Sequence, residues 1–197
     1  MSAPGWVTGF DAAVDAPVYA VRTPVLTSFM YLCTLLANTG TIIFITTAAV
    51  LLLAFRRRFA EAVLVVAVVA GGQALGTLAK TVVSRQRPPA STALIALPPS
   101  YAFPSGHALA AVLLYGVLAF LAIRALHSRG ARATVGVGAV ALIALVGLSR
   151  VYLGVHWPSD VVAAWFLGVA WLVGCTTVYL LYLRRLGIAA SPHEGPR

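Results

Sequence analysis

Ser149-Arg150-Val151-Tyr152-Leu153-Gly154-Val155-His156-Trp157-Pro158-Ser159-Asp160 sets a cation, an imidazole and a carboxylate between two long apolar runs. Acids are scarce in this chain, so an Asp at the mouth of an apolar run needs a physical reason. Of the 197 residues, 60% are hydrophobic and only 10% are charged, with a mean hydropathy of +0.93. Soluble domains carry about 25% charged residues. The composition therefore reads as an integral membrane protein. The formal net charge is +9, from 14 basic and 5 acidic residues, and Lys80 is the sole lysine. A basic balance of this kind suits either nucleic acid or anionic lipid, and the positions of the cations decide for the membrane. Cys33 and Cys175 lie inside apolar runs and read as small core residues, with neither a disulfide framework nor zinc spacing.

Working outward, about six apolar stretches approach the roughly 20 residues that cross a bilayer. They run over 19–37, 41–55, 59–79, 105–123, 133–148 and 158–183. The fold class expected is all-α, a polytopic six-transmembrane-helix bundle over residues 19–186. Residues 1–18 form an N-terminal interfacial segment in this reading, and 187–197 a polar tail. Trp6, Phe10 and Val14 recur at helical spacing, with Asp11 and Asp15 on other faces, which suggests a short helix in the membrane interface. A frayed tail is the competing reading. The two Asp stand where a cleavable signal would carry Lys or Arg. Small residues are frequent in the spans, as close helix packing in lipid requires.

The arginines orient the bundle. Arg56, Arg57 and Arg58 share one side with Arg124, Arg129, Arg132, Arg184 and Arg185 if there are six crossings. That side is expected to be cytoplasmic, with both termini there. Lys80, Arg85, Arg87 and Arg150 fall on the opposite side. Cations retained on the wrong side of a membrane point to function rather than topology.

Three clusters meet at that extracytoplasmic mouth. Lys80 to Pro88 closes the third span, Pro104-Ser105-Gly106-His107 opens the fourth, and the opening stretch joins the fifth to the sixth. Lys80, Arg87 and Arg150 supply permanent donors, and arginine grips phosphate with two N–H groups. Ser105 suits an N-cap, Gly106 admits a ligand to the backbone, and the helix start favours an anion. His107, on the same turn, can protonate a leaving oxygen. Pro158 suits the first position of the sixth helix. It would leave His156 just outside that helix and Asp160 in its first turn. Asp160 can then accept a hydrogen bond from Nδ1–H of His156 and leave Nε2 free to attack. His107, His156 and Asp160 also form a possible two-His, one-carboxylate metal set. Against it, a divalent ion roughly 6 Å from one fixed cation is repelled by about 5 kcal/mol at an effective dielectric near 20. The plain structural reading makes Arg87 and Arg150 interfacial anchors and the histidines helix caps. It suits any one of these residues better than it suits three clusters on one face. Arg85 reads as a solvated loop charge ahead of a headgroup contact, Glu61 as interfacial, His127 and His193 as solvated, and Tyr101, Tyr152 and Trp157 as an aromatic belt.

Lys80-x6-Arg87-Pro88, Pro104-Ser105-Gly106-His107 and Ser149-Arg150-x5-His156-x3-Asp160 together resemble the signature of the type 2 phosphatidic acid phosphatase superfamily. The likeness spans Lys80 to Asp160, and the span layout is similar to that of the membrane lipid phosphatases of bacteria. The resemblance implies that His156 is the nucleophile forming a phosphohistidine, that Asp160 holds and polarises it, and that His107 is the general acid. It implies that Lys80, Arg87, Ser105, Gly106 and Arg150 bind phosphate oxygens, that Ser149 is mainly structural, and that no metal or other cofactor is used.

A lipid phosphate entering sideways, tails in the bilayer, fits a site at the membrane surface. Polyprenyl pyrophosphate is the first expectation, with phosphatidylglycerol phosphate and phosphatidic acid as alternatives. The expected partners are this substrate and membrane lipids, not nucleic acid. A non-catalytic anionic-lipid binding or transport protein and a metal-dependent hydrolase are the rivals. Residues 93–97 read either as a lid dipping into lipid or as a plain linker.

Overall fold

The computed structural model describes residues 4–187 and is helical throughout, with no strand among the described residues. The helices are α1 (Gly5–Ala20), α2 (Pro24–Leu35), α3 (Thr39–Phe55), α4 (Phe59–Val83), α5 (Gly106–Ala125), α6 (Arg129–Tyr152) and α7 (Pro158–Arg185). The polar tail expected from 187 onward lies almost wholly outside the described residues.

Helices α4 to α7 are each long and apolar enough to cross a membrane. The first two expected spans are different. Pro24 starts a new helix, with the Thr23 side chain accepting from Leu26 N, so Arg22 falls in the preceding turn. Helix α2 then has only 12 residues and α3 only 17, about 18 and 25 Å at 1.5 Å per residue. They meet at a 43° bend and count as one span at most, so the described helices supply four or five spans rather than six. Asn38 makes that bend by capping α3, its Oδ1 accepting from Thr41 N at 2.7 Å.

Helix α5 is the axis of the bundle. Ala108 to Leu114 is an unbroken buried run, so this helix is covered on all sides at its first two turns. Small residues on its neighbours make that possible. A Cβ at Gly76 of α4 would stand 2.4 Å from Leu109 Cδ2, and one at Gly168 of α7 would stand 2.9 Å from Val112 Cβ. Both glycines let neighbouring backbones approach α5 closely. Ala67–Gly71 of α4 forms a single π turn, and Trp171 Nε1 of α7 donates to the Ala67 carbonyl at 3.2 Å. A carbonyl loosened by a π turn thus has a partner inside the apolar layer.

Helix α1 forms where the sequence suggested a helix rather than a frayed tail. It runs past residue 18, and its acid face turns inward: Asp11 is 1% exposed, whereas Trp6 is 79% exposed. Asp11 touches Ser159 at the start of α7, so α1 lies at the end of the bundle that carries Arg150 and His156. The six-crossing count had put both termini at the other, arginine-rich end. That count treated the α2 and α3 stretches as two spans, whereas this short bent pair counts as one span at most.

Arg22 ties these parts together. Its Nε and Nη2 donate to the Tyr152 carbonyl at 2.9 and 2.6 Å, and Nη1 to the Thr92 carbonyl at 2.9 Å. Tyr152 belongs to no interfacial belt: it is buried, and its hydroxyl meets Thr23 and Thr27. Residues 93–97 pack against the end of α6 and the turn after it. Leu94 N donates to the Leu153 carbonyl at 3.0 Å, and Ala93, Ile95 and Leu97 pack on Tyr152, Leu153 and Val155.

Replacing Gly168 by Val is expected to destabilise the protein by about 1–3 kcal/mol, because Val112 Cβ cannot yield without moving its backbone. A melting curve in detergent checks this, and Gly174→Val, where a Cβ meets open space, is expected to leave the midpoint unchanged.

Candidate active site

Three chain segments converge at the N-terminal end of α5. Pro158 occupies the first turn of α7, which leaves His156 two residues before it and Asp160 at the third helical position. Gly154 makes the preceding turn with φ +69, and a Cβ there would lie 2.2 Å from the Thr92 carbonyl oxygen. Only glycine fits that turn, which carries the chain from α6 to His156.

Asp160 is fully buried and His156 is 2% exposed. Each Asp160 oxygen is held: Oδ2 accepts from Trp157 N at 3.0 Å, and Oδ1 from Arg85 Nη1 at 2.6 Å. His156 Nδ1 stands 3.6 Å from Asp160 Oδ2. On the other edge of the ring, Nε2 lies 3.2 Å from Arg87 Nη1. A guanidinium can only donate, so Nε2 is the accepting nitrogen and Nδ1 carries the proton toward Asp160. Burial pushes the His156 pKa down to about 4, against the pull of Asp160 and with Arg87 and Arg150 lowering it further. The ring is therefore neutral near pH 7.

Cations surround this pair. Arg87 donates from Nη1 to the Val155 carbonyl at 2.7 Å and from Nε to the Ser100 carbonyl at 2.7 Å. Lys80, in the last turn of α4, donates to the carbonyls of Pro104 and Tyr101 at 2.8 and 3.0 Å. Arg150 is buried on α6 and donates from Nη1 to Thr34 Oγ1 of α2. Ser105 N donates to the Asp160 carbonyl at 3.1 Å, which fixes the start of α5 against the start of α7. Its hydroxyl does not cap α5 as expected. Ser105 Oγ, Arg150 Nε and His156 Nδ1 are instead buried polar atoms without a hydrogen-bond partner among the described residues. Buried polar groups are normally satisfied, and two of these are the kind that bind an oxyanion. A Cβ at Gly106 would meet open space, so packing does not demand glycine there.

His107 lies beside Gly106 on the wall of a recess of about 500 Å³ between α3, α4 and α5. Ile42, Ile43, Val66, Val69 and Ala70 make its walls apolar. Ser149 Oγ donates back to the Val146 carbonyl, a structural bond. Trp157 is fixed by Nε1 donating to the Gln86 carbonyl at 3.0 Å.

The sequence reading missed Arg85 and Asp11. Arg85 is no solvated loop charge: Nη2 pairs with Asp11 Oδ2 at 2.6 Å while Nη1 pairs with Asp160. The available signal was scarcity. Asp11, Asp15 and Asp160 are three of five acids in the chain, and a membrane protein places such groups against cations.

The profile of the PAP2 superfamily matches residues 61–184. Phosphatidylglycerophosphatase B of Bacillus subtilis is 31% identical over 171 residues, 83% of this chain and 80% of that protein. Undecaprenyl-diphosphatase of Sulfolobus acidocaldarius is 37% identical over 102 residues, 50% of this chain and 45% of that protein. The crystal structure of a transmembrane PAP2-type phosphatidylglycerolphosphate phosphatase from Bacillus subtilis superposes with a TM-score of 0.78 at 27% identity, covering 89% and 87% of the two chains. Aquifex aeolicus LpxE shares the fold, with a TM-score of 0.66 at 20% identity over 84% and 94%. A helical bundle of membrane-spanning length with this profile is a multi-pass membrane phosphatase. The chain belongs to the PAP2 superfamily.

The unsatisfied donors predict oxyanion binding. Orthovanadate at 100 times its Kd is expected to stabilise the protein by about 2.7 kcal/mol. Arg150→Gln is expected to abolish that rise in melting temperature, read by thermal shift in detergent.

Proposed function

We propose that this protein hydrolyses a lipid phosphate or pyrophosphate through a phosphohistidine on His156. The observation that carries this reading is the ring contact on both sides: Nε2 accepts beside Arg87, and Nδ1 faces the buried Asp160. In the first step Nε2 bonds to phosphorus as the phosphorus–oxygen bond to the lipid breaks. His107 gives its proton to the departing oxygen, and Asp160 stabilises the cationic ring. The 3.6 Å Nδ1–Oδ2 separation is of the kind that closes in the complex with substrate. In the second step water attacks phosphorus, His107 takes its proton back, and inorganic phosphate and neutral His156 result. Lys80, Arg87, Arg150, Ser105 and the Gly106 amide hold the phosphoryl oxygens, where positive charge stabilises the transferring group.

The donor set favours this over a metal site. Both Asp160 oxygens are engaged by N–H donors, and among the described residues no three His, Cys, Asp or Glu side chains gather as ligands. The apolar recess beside His107 gives a lipid chain a route from the bilayer to the site. Phosphatidylglycerol phosphate ranks ahead of the polyprenyl pyrophosphate first expected from sequence. The relative and the structure bearing the former activity match along four fifths or more of this chain, whereas the diphosphatase matches half. By the positive-inside rule the site faces outward and the arginine-rich end inward. Five crossings then place α1 outside, and the end of α7 inside.

Phosphate release is to be measured in excess EDTA with phosphatidylglycerol phosphate, phosphatidic acid and a polyprenyl pyrophosphate. His156→Ala is expected to abolish release, and His107→Ala to slow it by about 10²–10⁴-fold, as loss of a general acid does. Full activity in the His156 variant, or loss on adding EDTA, would sink the proposal.

The lowered pKa of His156 sets the pH dependence. Protonation removes the nucleophile only as pH falls toward 4. After correction for ionisation of the substrate, the rate at pH 5.5 is expected to be no lower than that at pH 7, because His156 stays neutral there and the acid role of His107 is favoured by protonation. An imidazole at its ordinary value near 6.5 would lose about tenfold.

A further inference from the structure

The N-terminal helix lies outside the stretch matched by the family profile, yet it reaches the buried carboxylate. Asp11 Oδ1 accepts from Ser159 N at 2.8 Å, and Oδ2 accepts from Ser159 Oγ at 2.9 Å and from Arg85 Nη2 at 2.6 Å. Arg85 Nη1 donates to Ser159 Oγ at 2.7 Å and to Asp160 Oδ1 at 2.6 Å. The Arg85 guanidinium also lies 5.5 Å from the Trp157 ring centroid. Charge thus alternates along one line, Asp11 to Arg85 to Asp160, and ends at the ring of His156.

We propose that Asp11 of α1 is a positioning residue of this site, acting through Arg85 to hold Asp160 in the orientation and with the field that His156 requires. The inference rests on the reading of His156 as nucleophile. The physics is a shared cation. Arg85 divides its donors between two carboxylates, so neither neutralises it alone. Without Asp11 the guanidinium commits to Asp160 and withdraws the field of that carboxylate from His156. Without Arg85 the two carboxylates face each other, and Asp160 acts on His156 undiminished.

Other charges face the same groups. His156 is met by Arg150 from α6, by Arg87 from the α4–α5 connection and by His107 from α5, besides Asp160. Asp160 is met by Lys80 of α4 and by Asp15 of α1. Asp15 is raised to about 6, chiefly by burial and then by Asp11. Near pH 4, where the acid limb of the variants below is read, it is therefore protonated and adds no charge.

The experiment is steady-state kinetics of the full-length protein in detergent on dioleoyl phosphatidic acid and phosphatidylglycerol phosphate, with His156→Ala as reference. Wild-type release that persists in H156A ends the nucleophile reading itself, independently of Asp11. Given His156-dependent release, D11N is expected to lower kcat about tenfold with KM within about twofold, a loss of the size seen when a group orienting a reactive residue is removed. R85Q is expected to lower kcat and to move the acid limb of kcat/KM upward by about half a unit, because Asp160 then favours the protonated ring. D11N is expected to move that limb downward or not at all. S159A keeps both charges and is expected to cost no more than about twofold. The D11N/R85Q double variant is expected to be no slower than R85Q, since both act through one path.

Wild-type kcat in D11N, multiplicative losses in the double variant, or an S159A loss as large as that of D11N would overturn the proposal. The last result would assign the effect to capping of α7. D11E keeps the carboxylate on α1 and is expected to hold most of the wild-type kcat. It decides the matter even if D11N does not purify, and D11E as slow as R85Q overturns the proposal.

Discussion

A carboxylate without solvent contact, at the end of an apolar bundle, has to be held from several sides at once. Desolvating a charge costs several kcal/mol unless partners replace the water. Asp160 meets that demand with a backbone N–H from its own helix and a guanidinium from the α4–α5 connection. It also fixes the neighbouring helix, since its carbonyl accepts from Ser105 N. The start of α7, the start of α5 and the connection carrying Arg85 and Arg87 are thereby tied to one residue. Arg22 does the same for the outer shell, joining the end of α6 and residue 92 to the α1–α2 turn.

The apolar part of the bundle serves this polar end. Helix α5 is buried all round from Ala108 to Leu114, just past Ser105, Gly106 and His107, and glycines on α4 and α7 set how near its neighbours stand. Packing by small residues is the usual source of precision in lipid, where no hydrophobic force draws helices together. Farther along, α6 and α7 keep few buried residues and present apolar side chains outward. Order is concentrated where charge must be positioned, and the rest of each span is long mainly because the bilayer is thick.

Much of this was legible in the chain. The existence of α4 to α7 follows from apolar runs ended by Arg, Pro and Ser, although α4 and α6 run four residues past the expected limits at 79, 133 and 148, and the convergence of Lys80, Arg87, His107, Arg150, His156 and Asp160 follows from placing each motif at the same end of a span. The first 55 residues read less well. Hydropathy sees an apolar run over 19–37 but not that Pro24 breaks it, because a proline at a helix start and one within a span look alike in composition. Periodicity found the amphipathic helix α1 and its separate apolar and acid faces, but not what the acid face meets. In a soluble setting an acid face looks to water. In a membrane protein the apolar face can look to lipid, and the acids then turn toward the cations of the protein. Arg85 was lost for a related reason: a loop arginine looks solvated until the carboxylates from α1 and α7 are seen to enclose it.

The π turn at Ala67–Gly71 bears on how this chain tolerates change in length. Each residue of an α-helix advances the side chains by about 100°. The widened turn offsets the phase between the half of α4 that begins at Phe59 and the half that carries Gly72, Gly76 and Lys80. It works as an angular spacer. Removing one residue there and restoring α geometry would leave hydropathy and span length nearly unchanged. It would also rotate Gly76 away from Leu109 and Lys80 away from the carbonyls of Tyr101 and Pro104. Relative to the bilayer the helix would look the same, and relative to the site it would be out of phase.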